Sequence, residues 1–274
     1  MGDSDQQAAY AITDKERFLF DLNGFVVRPG ILEADEIAAI RDQIYRLRYD
    51  CDSLPAAERA ILGGSSSVLI NHPAVLGIVK SVINSEVRIE HSYSVWRERG
   101  ESHEAPFHRG GTQSIQADPI FGYRCDNGRI YAGMVRVVIE LTDIDETNGG
   151  GTWFIPGSHK ANCEIPSDFL EPDQATRMPY ARSYSCPAGS AVFFTENVSH
   201  AGPTWERHEP RVAVLSAYSH LATHWHKLNI PPAVIAALPR EKQAYFRDTW
   251  SHDFSERPVI ENSYERFVAD GSDN

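Results

Sequence analysis

The sequence predicts a mainly β fold, a sandwich or jelly roll, with helical additions at both ends. Short β-rich segments separated by glycine and proline fill the middle of the chain, which is typical of such folds. Apolar residues recur at helical spacing in the first quarter. With no internal repeat and no long linker, we expect one domain over residues 1–274: a helical part at about 1–85, a jelly-roll core at about 86–220 and a helical part at about 228–274.

Each part has its own local signals. In the first part, residues 13–22 read as a helix closed by Asn23-Gly24, residues 25–28 as a strand, and residues 33–49 as an amphipathic helix. Asn71 can cap a further helix with Pro73 in its first turn. The core strands are expected at 87–96, 134–141, 152–155, 191–194 and 212–215, and the C-terminal helices at 231–238 and 241–250.

Composition narrows the functional classes. The formal net charge of −12 argues against binding to a nucleic-acid polymer, which depends on clustered lysine and arginine. The N-terminus is acidic without an apolar signal core, and no apolar run approaches the roughly 20 residues that span a bilayer. The scattered cysteines form no metal or redox motif and are expected to be reduced thiols. We therefore expect a cytoplasmic protein without membrane contact that acts on a small molecule. The cysteines are Cys51, Cys125, Cys163 and Cys186.

Two histidines and an arginine carry the chemistry. A His-x-Asp/Glu pair with a distant second histidine forms the facial triad of non-haem iron enzymes. Here His108-Arg109-Gly110 has the histidine but not the carboxylate, and His200 follows a later predicted strand. Histidines at the rims of neighbouring strands could converge on one metal. Arg211, on the next strand, could bring a planar fork to the same cavity and bind a carboxylate there.

The chain resembles the phytanoyl-CoA dioxygenase family of iron(II)/2-oxoglutarate enzymes between Phe18 and about Ser219. The resemblance implies a double-stranded β-helix (a jelly roll, cupin-like) that uses Fe(II), 2-oxoglutarate and O2. It implies iron ligation by His108 and His200, a 2-oxoglutarate anchor in Arg211, and a structural role for His159. The similar segments are Phe20–Gly30, Leu141–Asp143 with Asn148–Gly150, Pro156–Lys160, and His200 with Arg211.

Gly110 departs from the family pattern, and three interpretations are open. A similar replacement occurs in iron/2-oxoglutarate halogenases, where the missing carboxylate leaves room for chloride; Gly111 beside it widens the space. Alternatively, the protein is a hydroxylase in which water or another carboxylate is the remaining ligand. The third interpretation is a binding module without turnover. Candidate replacement carboxylates are Glu196, Asp118 and Asp126.

The substrate is expected to be a small, anionic metabolite, with a nucleotide preferred, because arginines and aromatic residues lie near the expected mouth of the site. The loop at 168–184 has the length and polarity of a mobile lid, and the sequence leaves open whether it closes over the site. The candidate substrate residues are Arg97, Arg177, Phe121 and Trp205, and the wider set adds Arg99, Arg182, Arg207, Tyr123 and Trp153.

Overall fold

A computed structural model describes residues 10–102, 106–110, 121–146, 151–161, 163, 165–166 and 179–249. The largest sheet is antiparallel and five-stranded, in the order β1-β7-β5-β9-β2. A two-stranded sheet pairs β6 with β8, and a separate hairpin pairs β3 with β4. The strands are β1 (Phe25–Arg28), β2 (Val87–Arg97), β3 (Tyr123–Asp126), β4 (Arg129–Ala132), β5 (Met134–Glu140), β6 (Trp153–Ile155), β7 (Ser190–Thr195), β8 (Ser199–Ala201) and β9 (Arg211–His220).

Helices flank the strands at both ends of the described chain. The capping box formed by Thr13 and Glu16 begins the first helix, and Gly24 ends it in a left-handed conformation with φ of 81°. Within the described residues, none of the helices has the length and apolar character needed to cross a bilayer. The helices are α1 (Asp14–Asn23), α2 (Ala34–Tyr49), α3 (Pro73–Val82), α4 (Pro232–Ala236) and α5 (Arg240–Gln243).

The two faces of the large sheet have different partners. Val26, Val137 and Phe193 belong to a core cluster shared with the N-terminal helices. Their strand neighbours Val138 and Phe194 belong to a second cluster that includes residues of the small sheet and its loops. Because side chains alternate along a strand, one face of the large sheet packs on helices and the other on the small sheet. The site described below lies on this inner face.

A β-bulge sets the inner face of β2. The register with β9 shifts between Ile89 and His91, with Glu90 at the irregularity. A bulge adds one residue and so changes which face the following side chains occupy. Ile89 accordingly packs in the helix-covered cluster, whereas Tyr93 and Arg97 face the cavity. The sequence predicts a strand here but not the bulge.

Most predicted elements overlap the observed ones, and several details differ. His200 lies within β8, a strand that was not predicted, and β9 continues to His220, beyond the predicted end at 215. The residue that caps α3 is His72 and not Asn71. The hairpin of β3 and β4 was not predicted, although its turn residues Asn127 and Gly128 both have positive φ, as the two-residue Asn-Gly turn requires. The predicted helix at 241–250 is a short α-helix followed by a 3-10 turn that ends at Phe246, and residues 250–274 lie outside the described residues.

Candidate metal centre and anion pocket

His108 and His200 lie side by side between the sheets. They form an isolated antiparallel bridge in which each backbone N–H donates to the other's carbonyl, at 3.1 and 2.9 Å. Their ring centroids are 4.4 Å apart. The pairing extends the small sheet by one segment beyond β8. It places both imidazoles in the lining of one cavity.

The backbone orients both rings. Nδ1 of His108 lies 2.9 Å from the Pro106 carbonyl oxygen, and Nδ1 of His200 lies 2.8 Å from that of Val198. A carbonyl only accepts, so each Nδ1 carries a proton, and in the neutral form of either ring the lone pair is therefore on Nε2. Burial and the neighbouring His108 ring lower the pKa of His200 to about 3, so His200 is neutral at physiological pH. Neutral imidazoles held by a backbone carbonyl are suited to metal ligation.

Gly110 follows His108 in a left-handed conformation with φ of 56°. Its N–H donates to the Glu196 carbonyl at 2.9 Å, which ties this turn to the end of β7. Between the two residues, the buried Arg109 guanidinium donates to the Ser158 carbonyl at 2.7 Å and to the Ala161 carbonyl at 3.2 Å. The segment is therefore fixed on both sides, and no side chain extends from position 110.

The Pro156–Lys160 turn supports the second histidine. The Ser158 hydroxyl accepts a hydrogen bond from the Ser199 N–H at 2.7 Å, directly before His200. His159 Nε2 donates to the Asp21 carbonyl at 3.0 Å. Burial is the main cause that lowers the pKa of His159, to about 4. His159 thus has the structural role that the sequence predicts for it.

Arg211 begins β9 and lines the same cavity as the two histidines. Its Nη2 donates to Glu140 Oε1 at 2.5 Å and its Nε to Oε2 at 3.2 Å. Burial opposes the charge, but Glu140 raises the pKa of Arg211 above its usual value. Tyr184 donates to the same carboxylate at 2.6 Å. Nη1 makes no hydrogen bond to the described part of the chain. The guanidinium held by Glu140 therefore has N–H donors on Nη1 that could bind a ligand.

Arg97 stands directly opposite Arg211, as its Cα partner across β2 and β9. It is 7% exposed and donates to the Pro203 carbonyl at 3.3 Å. Burial, and then the Arg211 guanidinium, lower the pKa of Arg97 to about 10. No carboxylate forms an ion pair with Arg97 within the described residues. Like charges that face each other across strands destabilise a sheet, so this wall of the cavity favours an anion.

A second buried ion pair involves Arg136, which lines the same cavity as the histidines and Arg211. Arg136 Nε donates to Glu196 Oε2 at 2.6 Å, and its Nη1 donates to His91 Nε2 at 2.7 Å. Burial raises the pKa of Glu196, but Arg136 and then His200 lower it to about 2. Arg136 was not among the site residues predicted from the sequence. Its signal is a single arginine in the apolar run Met134–Glu140 of a buried strand.

The structure places the other candidate residues away from this cavity. Phe121 packs against Met134 and Ala217, and Trp205 is buried, with its indole N–H donating to Glu209. Neither is among the residues that line the cavity within the described part of the chain. Arg99 contacts His208, Arg182 donates to the Pro179 carbonyl, Arg207 donates to the Asp143 carbonyl, Tyr123 donates to Asp21, and Trp153 packs in a small core cluster.

Some predictions lie outside the described residues. They concern Arg177, Asp118, Gly111 and most of the expected lid at 168–184. The described end of that loop is paired with the small sheet, because Arg182 and Phe154 exchange backbone hydrogen bonds at 2.8 and 2.9 Å. Asp126 is exposed beside Arg124 on the hairpin.

These residues form a candidate two-histidine metal centre beside a candidate anion pocket. Both imidazoles offer Nε2 to one cavity, and a guanidinium anchored by Glu140 lies in the same wall. No group of three or more histidine, cysteine, aspartate or glutamate side chains that could hold a metal occurs among the described residues. Two imidazoles supply two of the three protein ligands of the facial triad that holds non-haem iron, and imidazole suits iron among other transition metals. The class that this fold and site define is the non-haem, 2-oxoglutarate-dependent jelly-roll oxygenases.

The chain belongs to the phytanoyl-CoA dioxygenase (PhyH) family, whose profile matches residues 20–211. His108, His200 and Arg211 all fall within this span. The family confirms the resemblance seen in the sequence. No curated protein sequence matches the chain at a significant level.

Solved structures share the fold at low sequence identity. HygX from Streptomyces hygroscopicus, with nickel and 2-oxoglutarate bound, has a TM-score of 0.64 and 19% identity, covering 82% of this chain and 94% of HygX. AviO1 from Streptomyces viridochromogenes Tue57 has a TM-score of 0.55 and 17% identity, covering 77% and 96%. SnoN, a non-heme alpha-ketoglutarate-dependent epimerase from nogalamycin biosynthesis, has a TM-score of 0.51 and 16% identity, covering 78% and 84%. These matches confirm the predicted jelly roll.

Proposed function

We propose that this protein is an iron(II)/2-oxoglutarate-dependent halogenase that chlorinates an unactivated C–H bond of a small, anionic metabolite. The observation that carries the proposal is Gly110. It occupies the family's carboxylate position beside two well-oriented histidines and presents no side chain. Bound iron would supply the oxidative chemistry with 2-oxoglutarate and O2. Because the carboxylate is missing, there is space beside the metal and one negative charge fewer, so that a chloride ion could bind there.

The protein's own residues have separate tasks in this scheme. His108 and His200 hold the metal through Nε2, with both rings fixed by backbone carbonyls. Arg211, oriented by Glu140, holds the far carboxylate of 2-oxoglutarate. The neutral state of His200 keeps a lone pair available to the metal.

The preference for an anionic substrate rests on Arg97. A buried guanidinium without an ion-pair partner in the described chain is costly, and a carboxylate or phosphate on the substrate would compensate it. Arg97 also lines a second, more open cavity with Arg48 and Trp96. A substrate that reaches from this outer cavity would present its anionic group to Arg97. A nucleotide carries such an anionic group and is therefore the first substrate class to test.

Hydroxylation is the second candidate, and a specific observation favours it. The buried Glu196 has its backbone beside the vacant position, since its carbonyl accepts the Gly110 N–H at 2.9 Å, and both histidines contribute to the lowering of its pKa. If it replaced the missing ligand, or if water did so, the same cofactors would support hydroxylation.

The experiment is a product analysis with a matched pair of variants. Protein loaded with Fe(II) is supplied with 2-oxoglutarate, O2, chloride and a panel of carboxylate and phosphate metabolites that includes nucleoside monophosphates. Mass spectrometry then detects chlorinated products, while succinate reports cosubstrate turnover. We expect chlorination in the wild type and its loss in Gly110→Asp, which restores a carboxylate.

Gly110→Asn is the control. Asparagine tolerates the left-handed backbone as well as aspartate does and has a similar volume, but it carries no charge. Chlorination that survives undiminished in Gly110→Asp would refute the vacant-position mechanism. A wild type that makes only hydroxylated product at high chloride would establish the second candidate instead.

A further inference from the structure

The backbone of Glu196 lies beside Gly110, the position at which the family's carboxylate is missing. Its carbonyl accepts the Gly110 N–H at 2.9 Å, so the backbones of the two residues are in contact. Its side chain is buried, at 3% exposure. In the described chain, this is the carboxylate whose backbone adjoins the vacant position. The protein therefore carries a potential third ligand next to the place where the family's ligand is missing.

Arg136, which lines the same cavity as the two histidines, binds that carboxylate. The Arg136 side chain projects from β5, which pairs with β7 on one side and β9 on the other, so its backbone is held by both neighbours. Nε binds Glu196 at 2.6 Å, while Nη1 is engaged by His91 at 2.7 Å. With two of its nitrogens fixed, the guanidinium has little freedom to follow the carboxylate towards the histidines.

We propose that Arg136 keeps the third protein-ligand position vacant by holding the Glu196 carboxylate in a buried ion pair. Arg136 is thus a positioning residue that acts on the metal centre through Glu196. This inference rests on the metal site of the proposed function, but it does not depend on whether chloride or water fills the position.

Removing Arg136 should change the metal centre in a defined way. The buried Glu196 carboxylate would lose its counter-charge, which is strongly unfavourable. A divalent metal on His108 and His200 would then offer a compensating charge, and carboxylate is a good ligand for such metals. The two-histidine site would become a two-histidine, one-carboxylate site.

Cobalt(II) binding to the metal-free protein tests this without relying on catalysis. Calorimetry gives the affinity, and the visible absorption of cobalt reports its ligand set. We expect Arg136→Met to bind cobalt(II) about tenfold more tightly or better than the wild type, with an altered spectrum. Adding Glu196→Gln to Arg136→Met should reverse both changes. Arg136→Lys keeps a cation beside Glu196, so its affinity and spectrum should stay close to those of the wild type.

Three results would overturn the inference. In the first, Arg136→Met folds but leaves the cobalt affinity and spectrum unchanged. In the second, Glu196→Gln alone weakens cobalt binding as much as His108→Ala does, which would mean that Glu196 is already a ligand. This single variant keeps its arginine and decides the matter even if Arg136→Met does not fold. In the third, the wild type binds no cobalt, which would remove the metal site and the proposed function with it.

Discussion

The buried pair of Glu140 and Arg211 makes the sharpest stability prediction. Both side chains are almost completely buried, at 0% and 3% exposure, and two hydrogen bonds of 2.5 and 3.2 Å join them. Glu140→Gln keeps the shape of the side chain but removes its charge. It also turns an –NH2 group towards a guanidinium that can only donate. Arg211 would then be a buried charge without compensation.

The expected cost is large for a single isosteric change. Removing one partner of a buried ion pair costs about 3–5 kcal/mol. For a chain of this size, that corresponds to a fall in Tm of roughly 10 °C. Tyr184, which donates to the same carboxylate at 2.6 Å, can still donate to the amide oxygen and contributes little to the difference.

Urea unfolding followed by tryptophan fluorescence and circular dichroism would measure this free energy. The double variant Glu140→Gln with Arg211→Met removes the buried charge and should recover part of the stability. Asp52→Asn is the control, because Asp52 pairs with Arg59 at 3.1 Å but is 98% exposed. Exposed pairs contribute little, so we expect no measurable change. A Glu140→Gln variant as stable as the wild type would show that the pair is not the tight, desolvated contact described here.

Two further predictions follow from local geometry and charge. Gly24→Ala should lower the free energy of unfolding by about 2–4 kcal/mol, because the new Cβ would lie 2.7 Å from His159 Nδ1 at a φ of 81°. Gly30→Ala is the control, since Gly30 has a φ of 58° and a Cβ there would meet nothing within 4 Å. It should lower the free energy of unfolding clearly less in the same urea titration. Burial opposes ionisation of Glu90, but hydrogen bonds from His226 and others lower its pKa from 4.5 to about 2. A lowered carboxyl pKa stabilises the folded state above about pH 4.5, and this contribution of about 3 kcal/mol is lost as the pH falls towards 2. Unfolding titrations across this range should therefore show a shallower acid loss in Glu90→Gln, and an unchanged slope would contradict the assignment.

The elements of the fold were predictable because their signals are local. The capping residues Thr13 and Gly24, the helical spacing of α2 and the β-branched run of β5 each depend on a few neighbouring side chains. The Asn127-Gly128 turn carries an equally local signal and could have been found. The bulge at Glu90 is different. It depends on how β2 meets β9, which are more than a hundred residues apart in the chain.

The candidate site divides in the same way. A short motif and the resemblance to the family were enough to predict four residues of the site, which are His108, Gly110, His200 and Arg211. Arg136 was missed because a lone arginine in a strand has no motif. Its role appears only when β5 is placed between β7 and β9, so that it reaches Glu196 and His91.

By itself, the sequence determined the family, the jelly roll and the absence of a carboxylate at position 110, since these depend on residue identity and short-range order. Only the tertiary structure decided which charged side chains form ion pairs with one another. Glu140 is paired with Arg211, Glu196 with Arg136, and Arg97 is left facing the cavity. The physical reason is that ion pairing depends on distance and burial, and strands far apart in the chain bring these groups together.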